Sequence, residues 1–242
     1  MSSNALVIRK LTAISDLVRL PKQYGTLLVL WPTLWSLFIA SNGAPSVKNL
    51  FIFIAGTFLM RSAGCAINDI ADRNFDPYVA RTKSRPLANG RLNVKEALLI
   101  FAALVSLAFV AVLFLNRLTI ALSFIGLLLA IVYPFVKRVS HWPQAFLGMA
   151  FGWGAVMSWS AATGTVKGVP VLIFAANVCY STAYDTIYAL MDREDDLKIG
   201  VKSTAIYFGD SVYSALRVMY LLMALILVAA GYSSGLRWPY FS

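Results

Sequence analysis

Seven stretches of this chain run for close to a membrane's thickness with almost no charge, and that pattern leaves very few folds open. Tyr24 to Val47 carries no charged residue, and Asn49 to Asn68 carries only Arg61. Ala97 to Asn116, Leu118 to Val136 and Trp142 to Val166 carry none. Gly168 to Tyr184 is clear up to Asp185, and Val218 to Leu236 is clear again. A helix needs about 20 apolar residues to cross hydrocarbon. In lipid, only helices and closed barrels satisfy their own backbone polar groups. A soluble seven-helix core would carry polar outward faces, which these segments lack. The residues therefore predict an all-α, polytopic transmembrane bundle of about seven spans, a single membrane-embedded domain over residues 1–242. Residues 1–22, with Arg9, Lys10, Asp16 and Arg19, have no apolar core ahead of a cleavage site. They read as an amphipathic lead-in rather than a signal peptide.

The net charge of +10 would suggest nucleic acid in a soluble protein. Here its distribution gives orientation instead, and the partner it implies is a lipid bilayer, not nucleic acid. Lys and Arg collect in alternate loops. One set holds Arg9, Lys10, Arg19 and Lys22, then Arg73, Arg81, Lys83, Arg85, Arg91 and Lys95, then Lys137 and Arg138, then Arg193, Lys198 and Lys202. The other side has Lys48, Arg117, Lys167 and Arg237. Basic loops stay in the cytoplasm, so the N-terminus is expected there and the end of an odd number of spans outside. Cys65 and Cys179 fall within spans and read as small packing residues.

The acids are few and clustered. "NDIADRNFD" (68–76) closes the second span, and "YDTIYALMDREDD" (184–196) closes the sixth. Carboxylates beside hydrocarbon are expensive and mark ion or substrate sites. Residues four apart lie about 40° apart around a helix. Asn68, Asp72 and Asp76 are thus expected to form one oxygen-bearing stripe, and Asp185, Asp192 and Asp196 another, with Tyr188 on it. Asp69, Glu194 and Asp195 point elsewhere and read as solvated loop acids. Two carboxylate stripes need cations between them. Oxygen ligands without His or Cys suit Mg²⁺, which bridges one or two carboxylates to substrate phosphates. The basic stretches after each cluster would hold the same phosphates. Arg61, seven residues before Asn68 and deeper, has to pair with something: either an Asp or the substrate itself. His141 reads as an ordinary loop residue.

"NDIADRNFDPYVARTKSRPLANG" and "AYDTIYALMDREDDLKIGVKSTA" resemble the two aspartate-rich signatures of the UbiA-type membrane prenyltransferases. "LLVLWPTLWSLF" and "YPFVKRVSHWPQAFLGMAFGW" are similar to the branch acting on 4-hydroxybenzoate. The resemblance implies a bacterial inner-membrane enzyme of ubiquinone biosynthesis. Its donor would be a polyprenyl diphosphate, and its reaction prenylation of 4-hydroxybenzoate ortho to the hydroxyl, with release of diphosphate. It implies Mg²⁺ at Asn68, Asp72, Asp76, Asp192 and Asp196, with Arg81, Arg85, Lys198 and Lys202 gripping the diphosphate. An allylic cation needs a dry, aromatic-faced site, and Tyr180, Tyr184 and Tyr188 could face it; packing is their other role. Asp185 could draw the phenol proton. Members of the family usually have nine spans, so the seven found here lead us to expect that the last two family helices are missing from this chain. Rival readings are another acceptor within the family (naphthoate, homogentisate or haem) and a cation transporter. The second is disfavoured because transporters place their ionisable groups near the midplane.

Overall fold

The structure, a computed structural model, describes residues 3–237. It is built of helices: α1 (Ser3–Leu17), α2 (Tyr24–Ala40), α3 (Val47–Asp72), α4 (Val94–Val112), α5 (Arg117–Val136), α6 (Pro143–Thr163), α7 (Gly168–Ile199), α8 (Thr204–Phe208) and α9 (Val212–Ser233). Each of the seven predicted segments folds as a helix. Five are long and apolar enough to cross a membrane: α3, α4, α5, α6 and the unit Thr204–Ser233. Helix α2 is apolar but only 17 residues long. Helix α7 has 32 residues, roughly 48 Å at 1.5 Å per residue, so its charged end reaches past a core of about 30 Å.

Local chemistry sets the helix ends. The Asn93 side chain accepts from the Glu96 amide while Glu96 accepts from the Asn93 amide, a reciprocal cap that satisfies two otherwise orphaned donors. Ser46 and Asn116 cap α3 and α5 through their side-chain oxygens. Helix α7 stops at Gly200, whose φ of 72° is open to a residue without Cβ.

Small residues allow close helix approach, as expected where lipid removes any hydrophobic drive between helices. Gly148 lies against the Val178 backbone, and Gly152 against the Asn177 and Phe174 side chains, so α6 and α7 approach closely at both glycines. Asn177 Nδ2 donates to the Gly148 carbonyl at 3.1 Å. Across α2 and α6, Ser36 Oγ donates to the Ala155 carbonyl at 2.6 Å, and Ser158 Oγ to the Thr33 carbonyl at 2.8 Å. Ala13 and Leu17 of α1 pack on Ala66, Ile67 and Ile70 of α3 and on Ala97 of α4. The lead-in is therefore a helix docked on the acid-bearing end of the bundle, while Leu6, Val7, Ile8 and Leu11 stay exposed.

One expected stripe is corrected. Helix α3 ends at Asp72, and Asp76 begins a separate 3₁₀ turn, Asp76–Tyr78. Pro77 accounts for the break, because it disfavours helical backbone in the residue before it and has no amide to donate. Asn68 and Asp72 share a helix face; Asp76 is not on it.

Candidate active site

A cavity of about 820 Å³ runs into the bundle from the acidic end. Its mouth is polar and its depth apolar, with Val105 and Phe109 of α4, Phe124 and Leu127 of α5, and Trp153 and Met157 of α6 on the walls. Helix α3 contributes Asn68, Asp72 and, deeper, Arg61. Helix α7 contributes Tyr184, Asp185, Tyr188, Asp192 and Asp196. The steps of seven and four along an unbroken helix put those three aspartates on one wall, as the spacing predicts. Arg81 and Arg85 come from the loop after α3, and Lys202 from the segment after α7. The two acidic clusters, over a hundred residues apart, thus share one chamber.

Basic side chains tie the clusters together. Arg81 spans the mouth: its Nε lies 3.1 Å from Asp192 Oδ1 and its Nη2 pairs with Oδ2. Hydrogen bonding to Asp192 holds the Arg81 guanidinium above its ordinary pKa, even though burial pulls it down. Lys137, at the end of α5, places its Nζ 2.7 Å from Asp72 Oδ2. Lys202 donates its amide to the Lys137 carbonyl at 3.0 Å and its Nζ to the Val139 carbonyl at 3.2 Å.

Three expected site residues lie off the cavity wall. Asp76 is buried, with both carboxylate oxygens 3.0–3.1 Å from Arg85 Nη1. Burial pushes its carboxyl up to about 6, against the pull of Arg85. Lys198 is exposed and 3.7 Å from Asp195, on the outer side of α7. Tyr180 stacks on Tyr184 with centroids 6.1 Å apart and meets Tyr220 edge-on, a packing role. Tyr184 and Tyr188 contact one another at 4.9 Å and face the cavity.

Asp69 also departs from expectation. It is fully buried rather than solvated, and its Oδ1 lies 2.7 Å from Arg19 Nη2 and 3.4 Å from Arg85 Nη1. Arg19 lines the cavity, as do Lys137 and Tyr133, none of which the motifs identify as site residues. Lys137 follows Tyr133 by four residues, so one face of α5 carries both, and that spacing was a usable signal.

Arg61 finds no acid: among the described residues no carboxylate lies in ion-pair range of it. Its Nη1 donates to Cys65 Sγ, and its Nε is buried without a partner. The guanidinium rests on the bare α-carbon of Gly25, where a Cβ would stand 2.6 Å from Nη2. Of the two readings left open by the sequence, pairing with an Asp is therefore excluded. A largely buried guanidinium in a cavity wall, with no acid of its own, is chemically suited to an anion.

The donor set suits a hard divalent cation. Asp72 Oδ1 is buried without a hydrogen-bond partner, Asn68 lies beside it with Nδ2 3.1 Å from Asp72 Oδ2, and the facing wall offers the carboxylates of Asp185, Asp192 and Asp196. Among the described residues no three acids converge into a ready-made cage. A Mg²⁺ ion held there would complete its coordination with waters and phosphate oxygens.

Comparison with known proteins extends the picture. Residues 29–242 match the UbiA prenyltransferase family. The chain is 53% identical over 233 residues to a 4-hydroxybenzoate octaprenyltransferase from Nitrosococcus oceani, covering 96% of this chain and 82% of that protein. It is 51% identical over 231 residues to a 4-hydroxybenzoate octaprenyltransferase from Pectobacterium atrosepticum, covering 96% and 80%. Among solved structures it is similar to a UbiA homolog from Aeropyrum pernix, with a TM-score of 0.80, 26% identity and coverage of 89% and 82%. A UbiA homolog from Archaeoglobus fulgidus, solved bound to GPP and Mg²⁺, shares the fold with a TM-score of 0.71 at 20% identity, covering 91% and 78%.

Proposed function

This chain belongs to the UbiA prenyltransferase family, and we propose that it transfers a polyprenyl chain from polyprenyl diphosphate to the ring carbon ortho to the hydroxyl of 4-hydroxybenzoate, releasing diphosphate in ubiquinone biosynthesis. The observation that carries the reading of a small anionic acceptor is Arg61. A long donor brings its negative charge to the acidic, lysine- and arginine-rich mouth. A second anion-binding group, deeper and without an acid of its own, calls for a second substrate with a small negative head. The carboxylate of 4-hydroxybenzoate matches it. Naphthoate, homogentisate and haem also carry carboxylates, so Arg61 selects for an anionic acceptor and not among these rings. The high identity to relatives named 4-hydroxybenzoate octaprenyltransferase supports the same reading.

The residues divide the work. Asn68 and Asp72 on one wall and Asp192 and Asp196 on the other would hold Mg²⁺, which, when bound, neutralises the charge that grows on the leaving diphosphate. Arg81, Arg85, Lys137 and Lys202 grip the diphosphate oxygens. Arg81 pairs with Asp192 and Lys137 with Asp72, so these same cations would have to turn from the carboxylates to grip a diphosphate. The apolar depth takes the prenyl tail, gaining roughly 25 cal/mol per Å² removed from water. Tyr184 and Tyr188 offer ring faces to the allylic cation. Asp185 stands on the same wall as Asp192, two turns further in, and receives the phenol proton, leaving the ring more nucleophilic. The protein would sit in a bacterial inner membrane, and the basic loops at the end that carries the acids support that end and the N-terminus facing the cytoplasm.

The test is product identification. Protein in lipid is incubated with Mg²⁺, an octaprenyl donor and equimolar 4-hydroxybenzoate, dihydroxynaphthoate and homogentisate. Mass spectrometry should find the octaprenyl adduct of 4-hydroxybenzoate in excess. Preferential labelling of another ring would reassign the acceptor.

A further inference from the structure

We propose that Asp69 is a positioning residue for the donor's diphosphate, acting through Arg19 and Arg85; the proposal rests on the reading above. Asp69 follows Asn68 in sequence, yet one residue is 100° around a helix, and the two side chains part company. Asn68 faces the cavity, whereas Asp69 is fully buried behind the wall. It cannot touch substrate. What it touches instead are two arginines that do line the cavity.

Three chain segments converge on this one carboxylate. Arg19, in the linker between α1 and α2, reaches Oδ1 from Nη2 at 2.7 Å. Arg85, from the loop after α3, comes within 3.4 Å of the same oxygen. Asp69 itself sits on α3. The Arg19 backbone has φ of 57°, a left-handed conformation that a side chain with a Cβ adopts only when its surroundings hold it there. They do. Its Nη1 donates to the Asp16 carbonyl at 2.6 Å, and its own carbonyl accepts from Gln23 Nε2 at 3.1 Å. Arg85 is fixed in turn between Asp69 and Asp76 and lies 3.9 Å from Asp72. A guanidinium carries five donors in a rigid fork. Engaging one edge from behind aims the remainder forward and lowers the entropy lost when an anion arrives. The cavity wall thus receives two oriented cations, of which Arg85 lies 3.9 Å from Asp72, where a diphosphate held through that carboxylate would place its oxygens. The Asp69 Oδ2 atom is buried with no hydrogen-bond partner, so its burial serves these pairs and not a wider network.

A merely structural Asp69 would, when changed, lower the amount of active protein and leave the affinity of the remainder alone. The measurements are therefore affinities: Kd for Mg²⁺-pyrophosphate by calorimetry on full-length protein in lipid nanodiscs, and KM for each substrate. Asp69→Asn should raise the pyrophosphate Kd and the donor KM at least tenfold, with the KM for 4-hydroxybenzoate moving less than twofold. In the Arg19→Ala background the same substitution should have a clearly smaller effect, because coupled residues are not additive. If Asp69→Asn does not accumulate, Arg19→Ala alone carries the test and should weaken pyrophosphate at least fivefold. An unchanged Kd in the available variant, full additivity, or a selective rise in the acceptor KM would each overturn the proposal. Pyrophosphate binding needs no acceptor. Wild-type protein that binds it but prenylates no 4-hydroxybenzoate would therefore sink the functional reading while leaving the role of Asp69 decidable.

Discussion

Lys137 Nζ lies 2.7 Å from Asp72 Oδ2, a contact that joins the end of α5 to the end of α3. Asp72 is buried, and its next cation, Arg85, is 3.9 Å away. A carboxylate in that position needs its partner, since breaking a buried pair costs roughly 3–5 kcal/mol. Lys137 also lines the cavity that the diphosphate would enter. Lys137→Met should therefore lower both the thermal midpoint and the catalytic efficiency with the donor, the latter at least tenfold, or about 1.4 kcal/mol. Differential scanning and steady-state kinetics check the two separately. Unchanged donor efficiency would remove Lys137 from the diphosphate site.

Arg61→Ala should raise the KM for 4-hydroxybenzoate by ten- to a hundredfold, with the donor KM moving little, because a carboxylate loses a charge-assisted partner there. Gly25→Ala should show the same selectivity without removing any charge. The new Cβ would stand 2.6 Å from Arg61 Nη2 and push the guanidinium off its seat. Acceptor and donor saturation curves for both variants are the check. A donor-selective defect in either would move Arg61 to the other substrate.

Asp185→Asn separates the two halves of the reaction. Loss of a general base typically costs about 10² to 10⁴ in rate, so prenylation of the ring should fall by that much. Release of diphosphate into water should continue slowly, since Asn68, Asp72, Asp192 and Asp196 are untouched. Diphosphate release and prenylated product, measured on one sample, should diverge. Equal loss of both would make Asp185 a metal ligand and leave the phenol proton without an acceptor.

How far these residues could be read from sequence depended on whether their partners were local. The spans were legible because hydrocarbon demands long uncharged helices. Asp185, Asp192 and Asp196 were legible because α7 runs unbroken through them, so spacing alone fixes the shared face. The same arithmetic failed at Asp76, where Pro77 ends the helical register and Arg85 holds the carboxylate off the cavity wall. It failed differently at Asp69. The helical angle correctly turned it away from Asn68, but nothing in α3 tells that Arg19 and Arg85 wait on that side. The pairing of Lys137 with Asp72 is likewise a contact between helices far apart in sequence, and a basic pair after a span reads first as an orientation signal. Lys198 shows the converse: four residues from Lys202 and equally basic, it points to solvent.

Chelation gives a test independent of substitution. Removing divalent ions should abolish turnover, and Mg²⁺ should restore it, because the neighbouring Lys and Arg cannot by themselves neutralise both the carboxylates and the departing diphosphate. Full activity in excess chelator would exclude the metal reading of the two aspartate walls.

The central claim is that two carboxylate walls, Asn68 with Asp72 and Asp192 with Asp196, act on one substrate in one cavity. Its most direct test compares wild type with Asp72→Asn and Asp192→Asn at saturating Mg²⁺, following octaprenyl transfer to 4-hydroxybenzoate by mass spectrometry on equal amounts of membrane-inserted protein. Each substitution keeps the side-chain shape and removes a single charge, on opposite walls. The prediction is product from wild type and none above background from either variant. Near-normal transfer by one of them would show that a single wall suffices and would contradict the account.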